Sequence, residues 1–190
     1  MTTRREQLTR AAAELFAARG YHAVGIDDIG AQAGISGPGV YRHFASKQAL
    51  LESLCEQAMT RLLERARALP EASQDQRAAL QGLVGLHVQF AVDERPLLGV
   101  WAREQQALSE QVRRSLRRRQ REYEGVWHDV VAALREDLSP DEVSVAVRST
   151  LAMLNATALL EARVPPDRLG PLLRQMALAA LLSRAPTDWP

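Results

Sequence analysis

Between Gly34 and Lys47 the sequence GISGPGVYRHFASK sets Tyr41, Arg42, His43 and the chain's single lysine among three glycines and a proline. These side chains can recognise anions and base edges. A phenol hydroxyl donates to a phosphate, and a guanidinium forks onto guanine or a phosphate. The Lys47 ammonium, in the first turn of a helix, adds a point charge where anions already bind well. Around them Gly37 and Gly39 remove bulk, so the backbone can approach a polyanion closely. Gly39 gives up about 1 kcal/mol of helix propensity relative to alanine. Pro38 suits a first helical turn, and Ser36 reads as the N-cap. At 3.6 residues per turn, Pro38, Tyr41 and Arg42 face outward while Val40 and Phe44 face inward with Ile29 and Ile35.

A second set of polar residues interrupts apolar helical stripes further along the chain. His87 continues a stripe of Leu80, Leu83 and Val84, Gln105 and Glu104 share one with Leu97 and Trp101, and Asn155 lies with Leu151 and Leu154. Six arginines fall between 113 and 121; five share a solvated face, with Glu110, Glu122 and Glu124 at pairing distance along the helix. Arg119 instead falls on the apolar side with Leu116, Tyr123 and Val126, where a guanidinium needs a partner. That partner is either an anionic group of a ligand or an internal carboxylate such as Glu104, unless the side chain snorkels to the surface. Met59, His87, Phe90, Trp101, Gln105, Arg119, Tyr123, Trp127 and Asn155 are therefore the candidate lining of a mostly apolar site with a few polar groups. Taken singly, each also fits as a satisfied core residue.

Catalytic chemistry finds little support. His22, His43, His87 and His128 are scattered, Cys55 stands alone on an apolar run, and no metal-ligand spacing occurs. No glycine-rich phosphate loop follows a strand, because the periodicity is helical nearly throughout. The reading is a protein that is not an enzyme and needs no cofactor or metal.

The elements that must position these residues read as about nine helices. Thr3 and Glu6 form a capping box ahead of the first, which stops at Gly20. Short helices follow over about 26–33 and 37–44, broken at Gly34, and Ser46 caps a longer one that ends before Pro70. PEASQD (70–75) reads as a loop, then helices over roughly 76–93, 96–108, 110–137, 140–163 and 167–184, with a loose tail from Ala185. The last two are apolar around more than a surface helix needs, which points to burial against a second copy. With 46% apolar and 25% charged residues the chain can build a real core, and a net charge of +1 confines any polyanion-binding face to a local patch. One cysteine, no signal-peptide pattern and no long apolar run suggest a cytoplasmic protein without a membrane span.

The stretch AAAELFAARGYHAVGIDDIGAQAGISGPGVYRHFASKQALL resembles the DNA-binding domain of the TetR family of bacterial one-component regulators, over about residues 6–56. The resemblance implies an all-helical protein with a helix-turn-helix domain (1–46) and a larger domain (47–190) that binds a small molecule and dimerises through its last helices. It places Ser36, Gly37, Pro38, Gly39, Tyr41, Arg42, His43 and Lys47 on the DNA-contacting stretch. The expected partners are a palindromic operator and an apolar effector, with an anionic head group as one option. Repression relieved by the effector is the leading expectation. A co-repressor-dependent regulator and a helical binding module without specific DNA affinity are the alternatives. Val24 and Gly25 stand where the family commonly has threonine, and Asp27 where it commonly has a neutral or basic residue. Arg4 and Arg5 read either as solvated charges or as compensating DNA contacts.

Overall fold

The computed structural model describes residues 3–157 and 164–184, and within them the chain is all-α. Nine helices follow in order: α1 (Arg4–Arg19), α2 (Ile26–Gln32), α3 (Gly37–Val40), α4 (Lys47–Ala72), α5 (Gln76–Asp93), α6 (Arg95–Glu104), α7 (Glu110–Leu134), α8 (Pro140–Ala156) and α9 (Pro166–Leu182), with a 3-10 turn at Gln105–Ala107. They group into two compact units, Met1–Arg61 with Glu94–Arg119 and Leu62–Asp93 with Gln120–Pro190. No helix among the described residues is long and apolar enough to cross a membrane.

In the first unit the Thr3–Glu6 capping box is formed from both sides: Glu6 N donates to Thr3 Oγ1 at 3.2 Å and Thr3 N to Glu6 Oε2 at 2.9 Å. The stripe of Leu8, Ala12, Leu15 and Phe16 is buried, and α1 packs on α2 and α6. Gly34, between α2 and α3, has φ +71, the left-handed region that makes glycine the fitting residue at this turn. α3 is shorter than the periodicity suggests. It ends at Val40, whose carbonyl then accepts from both His43 N (2.9 Å) and Phe44 N (3.1 Å) in a tight turn. Two glycines and a proline in so short a run give little propensity to extend it. Phe44 still turns inward and is buried. Ser36 differs from its reading as a side-chain cap, since its hydroxyl caps nothing and its carbonyl accepts from Gly39 N at 2.8 Å. Ser46 does cap α4, accepting from Ala49 N at 3.0 Å.

α4 continues through Pro70 to Ala72, past the point where the sequence reading ends it. A proline so near the C-terminus removes a single hydrogen bond, in a turn that is about to stop anyway. Ser73 Oγ then donates to the Leu69 carbonyl at 2.6 Å. In the second unit α9 packs against α5 and α8. The core there includes Leu80, Leu83, Val84, Trp127, Val131, Val147, Leu154 and Leu181, each buried. α8 begins with the Ser139–Glu142 box, Ser139 N donating to Glu142 Oε2 at 2.7 Å. Residues 158–163, at the end of the helix read over 140–163, and the tail 185–190 lie outside the described residues.

Arg135 holds the end of α9 and was not singled out by its sequence context. Its buried guanidinium donates through Nη1 to Leu181 O (2.9 Å) and Ser183 O (2.8 Å), and forks through Nε and Nη2 onto Asp137 (2.9 Å each). The bonded guanidinium draws the Asp137 carboxyl down to about 2.

Candidate functional site

The α2–α3 segment carries the first candidate set. Pro38, Tyr41 and Arg42 are exposed, and neither the Tyr41 nor the Arg42 side chain is engaged by another described residue. Tyr41 is 57% exposed, high for a large apolar ring in a folded chain. Val40 and Phe44 behind them are buried with Ile29, so the polar edge stands on a fixed apolar base.

The glycines divide. Gly37 is buried, and a Cβ there would run into the Asp27 carboxylate, so its missing side chain has an internal reason. A Cβ at Gly39 would meet Ile35 Cδ1 and Ser36 Oγ at 3.4 Å, ordinary contact, so nothing inside the fold demands glycine there.

Lys47 turns inward. Its ammonium donates to Tyr21 O (2.9 Å) and Val24 O (2.8 Å) and lies 4.4 Å from the centroid of the Tyr21 ring. It thereby ties the start of α4 to the turn that leads into α2. Glu104 holds the same turn, accepting from Tyr21 N at 3.4 Å with His22 Nε2 at 3.8 Å. Burial, with Glu104 and Glu52 nearby, pushes the Tyr21 hydroxyl pKa up. Arg4 and Arg5 are more than solvated charges. Arg4 Nη1 donates to Ala33 O at 3.2 Å, at the C-terminal end of α2. Arg5 Nη1 donates to His43 O at 2.8 Å, with its guanidinium 4.1 Å over the Phe44 ring. Cations on C-terminal carbonyls complement the helix dipole. These partners are backbone atoms dozens of residues away, which no side-chain pattern announces.

The second candidate set splits between the units. Met59, Trp101, Gln105 and Arg119 belong to the first. There Gln105 is exposed, Met59 and Trp101 are half-buried, and Arg119 Nη1 meets Glu56 Oε1 at 3.4 Å. The carboxylate beside Arg119 is thus Glu56 and not Glu104, which faces Tyr21. Glu110 gathers Arg113, Arg114 and Arg117, while Glu122 and Glu124 reach across to Arg67 (2.8 Å) and Arg148 (3.0 Å) on other helices. Cys55 is buried, which with Glu52 and Glu56 pushes its thiol up to about 12, far from a reactive thiolate.

His87, Phe90, Tyr123, Trp127 and Asn155 come together in the second unit. His87 Nδ1 lies 2.9 Å from Tyr123 Oη, and His87 Nε2 lies 3.1 Å from Asn155 Oδ1. The His87 ring centroid is 6.2 Å from Phe90, 5.8 Å from Tyr123 and 6.1 Å from Trp127. Burial lowers the imidazole to about 4, partly offset by the Asn155 hydrogen bond, so it is neutral near neutral pH. Burial also raises the Tyr123 hydroxyl, with the Trp127 indole opposing slightly. Trp127 is fully buried, and its Nε1–H acts on the Tyr123 oxygen from outside strict hydrogen-bond geometry. No group of three or more potential metal ligands occurs among the described residues.

A helix-turn-helix segment with an exposed polar edge, followed by further helices, is the build of a helical DNA-binding regulator. The chain matches the family model of bacterial regulatory proteins of the tetR family over residues 8–54, and that of the tetracyclin repressor-like C-terminal domain over 73–159. It belongs to the TetR family, whose members are transcriptional regulators and not enzymes. The HTH-type transcriptional repressor KstR2 of Mycobacterium tuberculosis is 29% identical over 157 residues, 79% of this chain and 78% of the relative. The HTH-type transcriptional activator FasR of Mycolicibacterium smegmatis is 38% identical over 87 residues, 46% of this chain and only 40% of FasR. A TetR-family regulator from Bordetella parapertussis 12822 superposes with a TM-score of 0.79 at 27% identity, covering 92% of this chain and 93% of that one. The structure of AibR in complex with isovaleryl coenzyme A and operator DNA superposes at 0.75 with 17% identity, covering 92% and 97%.

Proposed function

We propose that the protein is a homodimeric, effector-responsive repressor that reads a palindromic operator. Residues 1–46 form the DNA-binding part and 47–190 the effector and dimer part. The observation that carries this is the unengaged, exposed Tyr41–Arg42 edge on a buried Val40–Phe44 base. In this reading Ser36, Gly37, Pro38, Gly39, Tyr41, Arg42 and His43 form the DNA-binding stretch. Arg42 supplies base preference and Tyr41 a phosphate contact. Lys47 serves the same surface from within, by fixing the turn that carries α2. The similarity to the repressor KstR2 over most of the chain supports the sign of regulation.

Exposed Val145 on α8 and exposed Leu172 and Met176 on α9 support a dimer face on the last two helices. Two copies would present their recognition edges to successive major grooves, roughly 34–36 Å apart. An effector bound by the second unit would favour one spacing of those edges over another and so change operator affinity.

The test is titration of mixed-sequence duplex DNA by fluorescence anisotropy at two salt concentrations. Binding should weaken steeply with salt, and Tyr41→Phe, which removes an uncharged donor to phosphate, should weaken binding while leaving the logarithmic salt slope unchanged. Salt-independent binding, or an unchanged Tyr41→Phe and Arg42→Ala, refutes the interface.

A further inference from the structure

Two adjacent carboxylates lie in the first turn of α2, and the fold uses them differently. Asp28 Oδ2 accepts from Gly25 N at 2.8 Å, and its Oδ1 lies 3.6 Å from Arg19 Nη1. Asp27 is exposed and takes no hydrogen bond or ion pair from another described residue. Its Oδ1 instead lies over the first residue of α3, in the space that a side chain at Gly37 would fill. Gly37 stands four residues before Tyr41, one turn earlier on the same row, and the backbone stays right-handed helical through Tyr41 (φ -63, ψ -17). The Asp27 carboxylate therefore takes the place of the missing side chain, at the N-terminal end of the row that Tyr41 continues.

A recognition helix reads base edges with its N-terminal residues. A carboxylate at that end only accepts hydrogen bonds, and it faces a polyanion, so it opposes binding wherever no base supplies a donor. The major groove offers two such donors, the N4 amino group of cytosine and the N6 amino group of adenine. Adenine sets its N7 acceptor beside the amino group, which repels the second carboxylate oxygen. Guanine shows acceptors alone, and thymine an acceptor and a methyl group. Cytosine is the base whose edge suits an acceptor without an opposing one.

We infer that Asp27 is a specificity-determining residue, accepting from the N4 amino group of a cytosine in each operator half-site. The inference rests on the operator-reading proposal above and names one of the bases read. Gly37 acts as the positioning residue, because its lack of a side chain lets a carboxylate from α2 stand on the recognition edge. Two competing roles are a favourable charge on the α2 dipole and plain repulsion of phosphates. Neither of them tells one base from another.

Selection from random duplex DNA with the full-length wild type, Asp27→Asn and Asp27→Ala tests the assignment. The wild type should enrich cytosine at one position of each half-site. Asp27→Asn should move that position to adenine, whose N6 and N7 an amide pairs with bidentately, and Asp27→Ala should flatten it. By anisotropy, Asp27→Ala should bind the wild-type site at least about fivefold more weakly per half-site. It should bind mixed-sequence duplex more tightly, since a negative charge has left the interface. Opposite signs on the two DNAs are what a dipole or repulsion role lacks. Thermal unfolding of each variant checks the fold, and should Asp27→Ala be unstable, the near-isosteric Asp27→Asn still reads the base switch. The same base at that position in all folded proteins overturns the inference, as does a change of equal size and sign on both DNAs. A wild-type palindrome that neither variant alters leaves operator reading in place and removes Asp27 from it. A folded wild type that enriches no sequence removes both.

Discussion

Acidification from pH 7 to pH 5 should destabilise this protein through one buried side chain. His87 is 3% exposed, and its imidazole is lowered from 6.5 to about 4. An unfolded chain therefore binds a proton below about pH 6.5 that the folded chain refuses until about pH 4, and stability falls with pH across that window at about 1.4 kcal/mol per unit. The full loss is about 3 kcal/mol, and about 2 kcal/mol of it is present at pH 5. The depressed carboxylates act in the same direction but lower down: their contribution is complete above their unfolded values and is lost only as pH drops through their folded ones. Asp137, at about 2, loses its share well below pH 5. Urea unfolding at fixed protein concentration, at pH 7, 6 and 5, measures the slope. The equivalent fall in Tm is about 4–8 °C for a chain of this size. His87→Gln keeps an amide able to donate to Asn155 and cannot titrate, so it should start less stable and lose little on acidification. An equally steep pH dependence in His87→Gln would refute the assignment of the slope to this imidazole.

The helix-turn-helix segment and the start of α4 yield four further expectations. Gly39→Ala should leave the fold as stable or gain up to about 1 kcal/mol, while weakening duplex binding measured by anisotropy; Gly37→Ala should lower Tm because its methyl displaces Asp27. Lys47→Met, which removes two charge-assisted bonds to Tyr21 O and Val24 O, should cost about 2 kcal/mol in urea unfolding. In the folded Lys47→Met protein the salt slope of DNA binding should be unchanged, and a slope reduced by about 1 would put the ammonium on a phosphate instead. Arg42→Ala should leave Tm unchanged and weaken binding to a selected site more than to mixed-sequence DNA.

Local signals were read well from the sequence because both partners of each lie within one turn. The Thr3–Glu6 and Ser139–Glu142 boxes, the Gly34 break and the Ser46 cap are of this kind. The inward set of Ile29, Val40 and Phe44 was equally legible, since 3.6-residue periodicity fixes faces once a helix is given. Pro70 misled because a proline's cost depends on how near the helix is to its end, which composition does not reveal. Lys47, Arg5 and Arg135 were opaque for another reason: their acceptors are backbone carbonyls brought close by the fold, and every residue carries one. Arg119 was legible as needing a partner, but only packing decides that Glu56 provides it. His87 and Asn155 are legible as polar interruptions of apolar stripes, but only packing joins His87 to Tyr123 and Asn155.

The most direct test of sequence-specific regulation is selection from random duplex DNA with the purified, folded protein, read by sequencing the retained fraction at two salt concentrations. The predicted result is an enriched palindrome whose half-sites lie about one helical turn apart, lost from the Arg42→Ala selection. A folded protein that enriches no sequence at either salt, and whose retained pool matches that of Arg42→Ala, would contradict an operator-reading role.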